Sequence, residues 1–417
     1  MSELPVSTDD LRALAALLAP GAAADPYPRY ARWLAERPVA RPRERLYVVS
    51  RLADCETVLA DPAFGKQDGA VEGTADLVAA GRPGGPGVRS LLRLNPPDHT
   101  RLRRLASRAF TPGRVRELTP RIEELTGELV DSMFGGSARA DSPAGGEPAD
   151  LISRLALPLP VAVISELLGI PPQDRPRLVG WSTDLARSLD PAFLIPDSER
   201  MRQRQARAEF TGYLRGLLPS RRRSPGGDLI SALLAVHDAD AALTEDELVA
   251  LCILLLVAGH ETTRSLIGAV VLALLRNPAE LATVAANPSL AGQAVEEALR
   301  YDPPVQIIAR FALDDTSVAG RTIAAGSFVL LLLGAASRDP AACAEPDRFC
   351  VRRETRRQLA FGHGIHYCLG APLARVEATV AVRRLLPLLP QLKIAGEPRW
   401  RPNTVLRGLE QLRLEPA

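Results

Sequence analysis

Cys368 is the residue whose surroundings most suggest chemistry. It stands in Phe361-Gly362-His363-Gly364-Ile365-His366-Tyr367-Cys368-Leu369-Gly370, and the following Ala371-Pro372-Leu373-Ala374-Arg375-Val376-Glu377 reads as the first turns of a helix, with Pro372 where a missing N–H costs nothing. A sulfur at a helix N-terminus is expected to favour the thiolate, because free N–H groups and the positive end of the helix dipole stabilise it. Such a thiolate is a soft-metal ligand or a nucleophile; the same pattern also suits an ordinary turn around a buried cysteine. The loop's three glycines, Gly362, Gly364 and Gly370, let the backbone approach something flat and bulky.

Three further constellations carry polar groups in unusual places. Ala258-Gly259-His260-Glu261-Thr262-Thr263 interrupts an apolar helix at Leu248 to Ala258 that is greasy on nearly all faces and opens with a capping box, Thr244-x-x-Glu247. Gly259 weakens the helix and Thr262 bonds back to Ala258, so a local bulge or groove is expected, with Glu261 and Thr262 placed for proton handling. On the helix His99 to Phe110, His99 and Arg103 fall on the apolar side while Arg101, Arg104 and Arg108 form an exposed basic stripe. An inward His/Arg pair needs an anion, unless both side chains reach the rim and meet water or an acid. Glu297 and Arg300, at i and i+3, are able to pair on one helix face.

The elements that must position these groups are mostly helical. Of the 417 residues, 46% are hydrophobic and 24% charged, the balance of an ordinary globular protein, and a net charge of +2 gives no global attraction for nucleic acid or a membrane. The five cysteines (Cys55, Cys252, Cys343, Cys350, Cys368) are scattered, without C-x-x-C pairs, which speaks for a reducing, cytoplasmic setting and against a zinc cage. No secretion signal is read at the N-terminus, and the longest apolar run is short of the ~20 residues that span a bilayer. Helices are expected over 11–37 with proline breaks, 54–60, 99–110, 112–134, 160–168, 174–189, 197–218, 245–276, 278–286 and 288–300, with strands near 46–50, 305–310, 316–319 and 321–323. The Gly/Pro-rich stretch 65–94 reads as a lid, 181–201 as a mobile cover, 135–148 as a surface loop and Arg221-Arg222-Arg223 as a basic surface turn.

Taken in order, His-x-x-x-Arg, Ala-Gly-x-Glu-Thr-Thr, Glu-x-x-Arg and Phe-Gly-x-Gly-x-His-x-Cys-x-Gly resemble the cytochrome P-450 superfamily of haem-thiolate monooxygenases in its soluble bacterial form, from about Asp25 to Leu414. The resemblance implies a single domain over 1–417, mainly α with small β-sheets, a long central helix over the haem, and residues 1–24 as an N-terminal extension. It implies haem b as cofactor, Cys368 as its metal ligand, and Ala258, Gly259, Phe361, Gly362 and Gly370 around it. His99, Arg103, Arg310 and His366 match positions that hold the haem propionates, which would supply the anion the inward pair lacks. Glu261 and Thr262 match the acid–alcohol pair that delivers protons during dioxygen activation, and Glu297 and Arg300 a structural ion pair completed by a third arginine, for which Arg348 and Arg353 both fit. Gln358 and Asn95 depart from the His and Asp of many relatives.

The implied reaction inserts one oxygen atom from dioxygen into a small apolar molecule, such as a polyketide, macrolide, terpene or peptide of secondary metabolism. No dinucleotide fingerprint or iron–sulfur cysteine cluster is present, so electrons are expected from a ferredoxin and its reductase, docking on Arg101, Arg104 and Arg108 of a monomer. Leu255, Ala258, Val305, Ile307, Ile308 and Leu406 are the expected substrate contacts, with Gly259 and Val405 beside them. A non-catalytic haem-binding accessory protein or a peroxygenase of the same fold would be expected to lack the cysteine or the acid–alcohol pair.

Overall fold

A computed structural model describes residues 4–19, 24–66, 90–134, 148–190, 195–240, 243–354 and 357–417. Most of the expected lid, the loop 135–147 and part of the cover at 191–194 lie outside the described residues. The rest is mainly α, with small sheets at its edges.

The organising element is the 32-residue helix Glu245–Arg276. Its capping box is closed in both directions: the Glu247 N–H donates to Thr244 Oγ1 at 3.1 Å and the Thr244 N–H to Glu247 Oε2 at 2.9 Å. Leu248, Leu251, Cys252, Leu256, Leu266, Ile267, Val270 and Val271 are all buried, so helices pack around it on several sides, Pro158–Leu168, Arg175–Ala186, Ala291–Tyr301 and Ala371–Leu385 among them. Its length and apolar character would let it cross a membrane, but here protein covers most of its surface. The expected bulge at Gly259 is absent. The helix runs unbroken through it, and Gly259 serves packing instead, since a Cβ there would press on Ile164 at 3.3 Å.

Within the expected N-terminal extension, the described residues 4–19 pack onto the body of the protein. Thr8–Leu18 is a helix capped by Ser7, and Leu14, Leu17 and Leu18 pack with Tyr30, Trp33 and Leu46 in a second core. This core lies against a five-stranded sheet in the order Val39–Arg43, Leu46–Val49, Phe328–Leu332, Ile307–Ala312, Phe64–Gly65, antiparallel except where Leu46–Val49 runs parallel to Phe328–Leu332. Ile307 belongs to that core, beside the N-terminal helices, because successive strand residues face opposite sides of a sheet. The expected basic turn Arg221-Arg222-Arg223 is the last turn of the helix Asp197–Arg223, where cations complement the helix dipole and Arg222 pairs with Asp238 at 3.2 Å.

The segment leading to Cys368 is tied down by buried charge. Glu297 and Arg300 are both 0% exposed and pair through two bonds of 3.0 and 2.8 Å. Arg300 also donates to the carbonyls of Ser337, Pro346 and Arg348. Glu297 Oε1 accepts from the Cys350 N–H at 2.9 Å and from Arg353 Nε at 3.1 Å. Arg353 is therefore the third arginine; the Arg348 side chain points out to Glu345. Behind the cysteine, Glu377 is 2% exposed with Oε2 unbonded, and burial pushes its carboxyl up to about 8.

Glu297→Gln should cost about 3–5 kcal/mol, because it leaves the Arg300 cation buried without its anion; Arg348→Ala should leave the urea midpoint nearly unchanged, and equal losses would show that the pair is not what holds this segment. Glu377 has its folded value raised above the ordinary 4.5, so the folded state holds the extra proton and stability should fall as pH rises from 4.5 through about 8. Urea titrations of Glu377→Gln across that window should show the slope removed.

Candidate functional site

The cysteine loop is shaped by two left-handed glycines, Gly362 at φ +71° and Gly364 at φ +68°, and a Cβ on Gly364 would collide with the Leu59 carbonyl. Cys368 is accessible, and its N–H donates to Phe361 O at 2.9 Å. Phe361 is fixed by the Arg375 guanidinium, 4.5 Å above its ring, and Arg375 is anchored on Glu296. The expected pull of the helix terminus toward the thiolate is present but outweighed. Burial pushes the Cys368 thiol up, and the N–H groups of Gly370 and Ala371 with the charges of Arg103 and Arg375 only partly offset it. A metal ion bound there would remove the proton outright.

On the central helix, one stripe breaks the burial. Ala258 is exposed and Leu254 and Thr262, one turn to either side, are half-buried, as are Val257 and Gly259 beside it, in the middle of a largely buried helix. The described residues do not close over this wall of the helix. Thr262 Oγ1 donates to Ala258 O at 2.8 Å. Leu255, expected on this wall, is 8% exposed within the main core, and Leu254 takes its place. Val305 and Ile308 are half-buried and Leu406 is 6% exposed, with Val305 bridged to Leu406.

Glu261 turns into a separate network. Its carboxylate meets Arg401, from the C-terminal hairpin, Arg264 at 4.0 Å and His260 Nε2 at 3.3 Å. His260 Nδ1 faces Leu256 O at 2.9 Å, and Nε2 also lies 3.2 Å from Ser182 Oγ, whose own proton goes to Leu178 O at 2.6 Å. Both ring nitrogens thus face polar oxygens. Burial pushes the Glu261 carboxyl up, but His260, Arg401 and Arg264 outweigh it and hold it at about 2.

The opposite electrostatic problem stands near the cysteine. His99 is 2% exposed, its ring centroid is 4.3 Å from that of His366, and the Nε2 atoms of both are buried without a partner. Arg310 is 4% exposed, and Arg103 bonds Tyr367 O at 2.6 Å. Burial depresses His99, helped by Arg103 and Arg310; it takes His366 down to about 2, helped first by Arg310 and Lys66. Burial lowers Arg310 to about 10 and pulls Arg103 down against the Cys368 charge. The four residues expected from the sequence converge, and Lys66 joins them unforeseen, its Nζ donating to Ala309 O at 2.9 Å and its own value pulled well down by burial and by Arg310 and Arg93. Its one sequence signal was that Lys66 is one of two lysines, with Lys393, in a chain whose cations are otherwise arginine. Asn95 sets its backbone, accepting the Lys66 N–H at 2.7 Å. Orphaned imidazole donors beside desolvated cations fit carboxylates on a flat apolar body, which is the form of haem b.

Of the basic stripe, Arg104 and Arg108 are exposed as expected, but Arg101 is diverted. Its guanidinium bonds both Glu247 oxygens, at 3.2 and 2.5 Å, tying its helix to the cap of the central helix.

Comparison with known proteins agrees with this geometry. The sequence profile described as Cytochrome P450 matches residues 45–389. The chain is 44% identical to the cytochrome P450 monooxygenase PikC of Streptomyces venezuelae, over 94% of this chain and 91% of that protein. It is 41% identical to the vitamin D(3) 25-hydroxylase of Pseudonocardia autotrophica, over 93% of each. Among solved structures, ligand-free CYP164A2 of Mycobacterium smegmatis superposes with a TM-score of 0.87 at 43% identity, covering 97% of this chain and 99% of that one. In sequence, in fold and in the donors gathered around its cysteine, the chain belongs to the cytochrome P450 family of monooxygenases, with haem b as its cofactor.

Proposed function

We propose that this monooxygenase hydroxylates or epoxidises a largely apolar secondary metabolite of polyketide or macrolide type, in the cytoplasm, with electrons from a ferredoxin and its reductase. The observation that carries the reading is the exposed Ala258, flanked by half-buried Leu254 and Thr262 in a largely buried helix, together with an accessible Cys368 and the orphaned donors of His99 and His366. Bound haem supplies dioxygen activation, with a thiolate ligand favouring O–O cleavage. Every other part falls to the chain. Cys368 ligates the metal; His99, Arg103, Arg310, His366 and Lys66 neutralise the two carboxylates. Ala258, Leu254, Val305, Ile308 and Leu406 give the substrate an apolar wall, consistent with hydroxylase relatives that act on such molecules.

Thr262 is the proton donor nearest that wall, and Glu261 the acid behind it. With its carboxylate held by Arg401, His260 and Arg264, Glu261 has to exchange a partner before it passes a proton toward Thr262. Arg104 and Arg108 offer the ferredoxin an exposed cationic surface, from which Arg101 is withdrawn by Glu247.

The carbon-monoxide difference spectrum of the reduced protein should show the red-shifted band of a thiolate-ligated haem, lost in Cys368→Ala, and NAD(P)H-driven turnover should need ferredoxin and reductase. A missing band, or turnover supported only by peroxide, overturns the reading. Charge reversal at Arg104 and Arg108 should raise the KM for ferredoxin several-fold, roughly as expected for loss of two steering charges, without altering substrate affinity; Arg101→Glu should instead lower stability. Unchanged reduction kinetics in the double reversal would remove this surface from the proposal.

A further inference from the structure

Positive charge does not stop at the cofactor cradle. It continues from Lys66 to Arg93, on the short turn Leu91–Arg93, and from there to Arg207 on the long helix Asp197–Arg223, since the Arg93 charge acts on both Lys66 and Arg207. Arg207 is half-buried, next to Ala206 and one turn before the buried side of Phe210 and Leu214. No hydrogen-bond or ion-pair partner for it stands among the described residues. Burial, then Arg93, depresses its guanidinium to about 10. One turn earlier on the same face, Gln203 Nε2 is buried and likewise without a partner.

The cofactor does not account for this far end. Haem b brings two carboxylates, and Arg103, Arg310 and Lys66 with the donors of His99 and His366 already answer them. A guanidinium and an amide N–H presented side by side, both desolvated, call for an anion with two coplanar oxygens. We propose that Arg207 and Gln203 form a binding site for a carboxylate carried by the substrate, so that the preferred substrate is an amphiphile: an apolar body along Leu254 and Ala258 and an acidic end at the helix Asp197–Arg223. The proposal rests on the monooxygenase reading and deepens it, since a wall of aliphatic side chains alone holds an apolar molecule without fixing which end leads.

The test uses the haem-loaded protein and three probes of one chain length: dodecanoic acid, its methyl ester and dodecyl phosphate. Affinity is read by calorimetry and by the optical spin shift. The acid should bind at least about tenfold tighter than the ester, as expected for a charge-assisted pair, and the advantage should shrink with added salt. Arg207→Gln and Gln203→Leu should erase most of it and leave the ester's affinity unchanged, while Arg207→Lys restores part. Equal binding of acid and ester, failure of the acid to bind, or an acid preference that survives Arg207→Gln overturns the site. A clear preference for dodecyl phosphate over the acid overturns the choice of carboxylate. The reduced carbon-monoxide spectrum of the same samples separates the two failures: a thiolate band with no acid preference sinks only this site, and a missing band sinks the monooxygenase reading beneath it.

Discussion

The buried ion pair of Glu297 and Arg300 is the constraint on which the cysteine side of the molecule depends. Neither side chain touches solvent, so each must be answered inside the protein. The answers come from distant chain: the carbonyls of Ser337, Pro346 and Arg348, the Cys350 N–H and the Arg353 guanidinium. A segment with little regular structure is thereby anchored at Cys350 and Arg353. The loop of Cys368 begins where that segment ends, so the position of the sulfur is inherited from the pair.

Two electrostatic environments then flank the central helix, and they are incomplete in opposite ways. Around Glu261 the charges close on themselves, one carboxylate held by two arginines and a histidine. Around His99 and His366 they do not close: cations and imidazole donors converge with no acid among the described residues to receive them. Burying like charges together is unfavourable, and a fold tolerates it where a bound anion completes the set. The carboxylates of haem b would do so near the cysteine. A closed network keeps the Glu261 carboxylate ionised, and an open one is suited to holding a ligand.

Motif order and residue type made the family and the ion pair legible, and the convergence of His99, Arg103, Arg310 and His366, because each is a demand of chemistry on particular side chains at particular spacings. Helices with strong periodicity were also legible, although ends moved by a turn where capping intervened. What failed were judgements of direction. Arg101 lay on the exposed side of a helical wheel, yet Glu247, from another helix, claims it. Leu255 and Ile307 were apolar and well placed in the chain, but one faces the main core and the other the N-terminal helices. Of the bulge or groove expected at Gly259, the bulge is absent, and Gly259 packs against Ile164.

The sequence by itself determined which groups exist and how far apart they stand along an element: a cysteine before a helix, His99 and Arg103 one turn apart, an acid beside an alcohol. Only the tertiary structure decided which partners those groups meet. It chose Arg353 over Arg348, drew Lys66 and Asn95 to the cradle, and turned Glu261 to Arg401. It also raised the Cys368 thiol where a helix terminus alone would have lowered it. Spacing within a helix is local geometry, fixed by the backbone, whereas burial and charge pairing depend on chain from far away in sequence, and desolvation at 4 Å outweighs a helix dipole that fades within a turn.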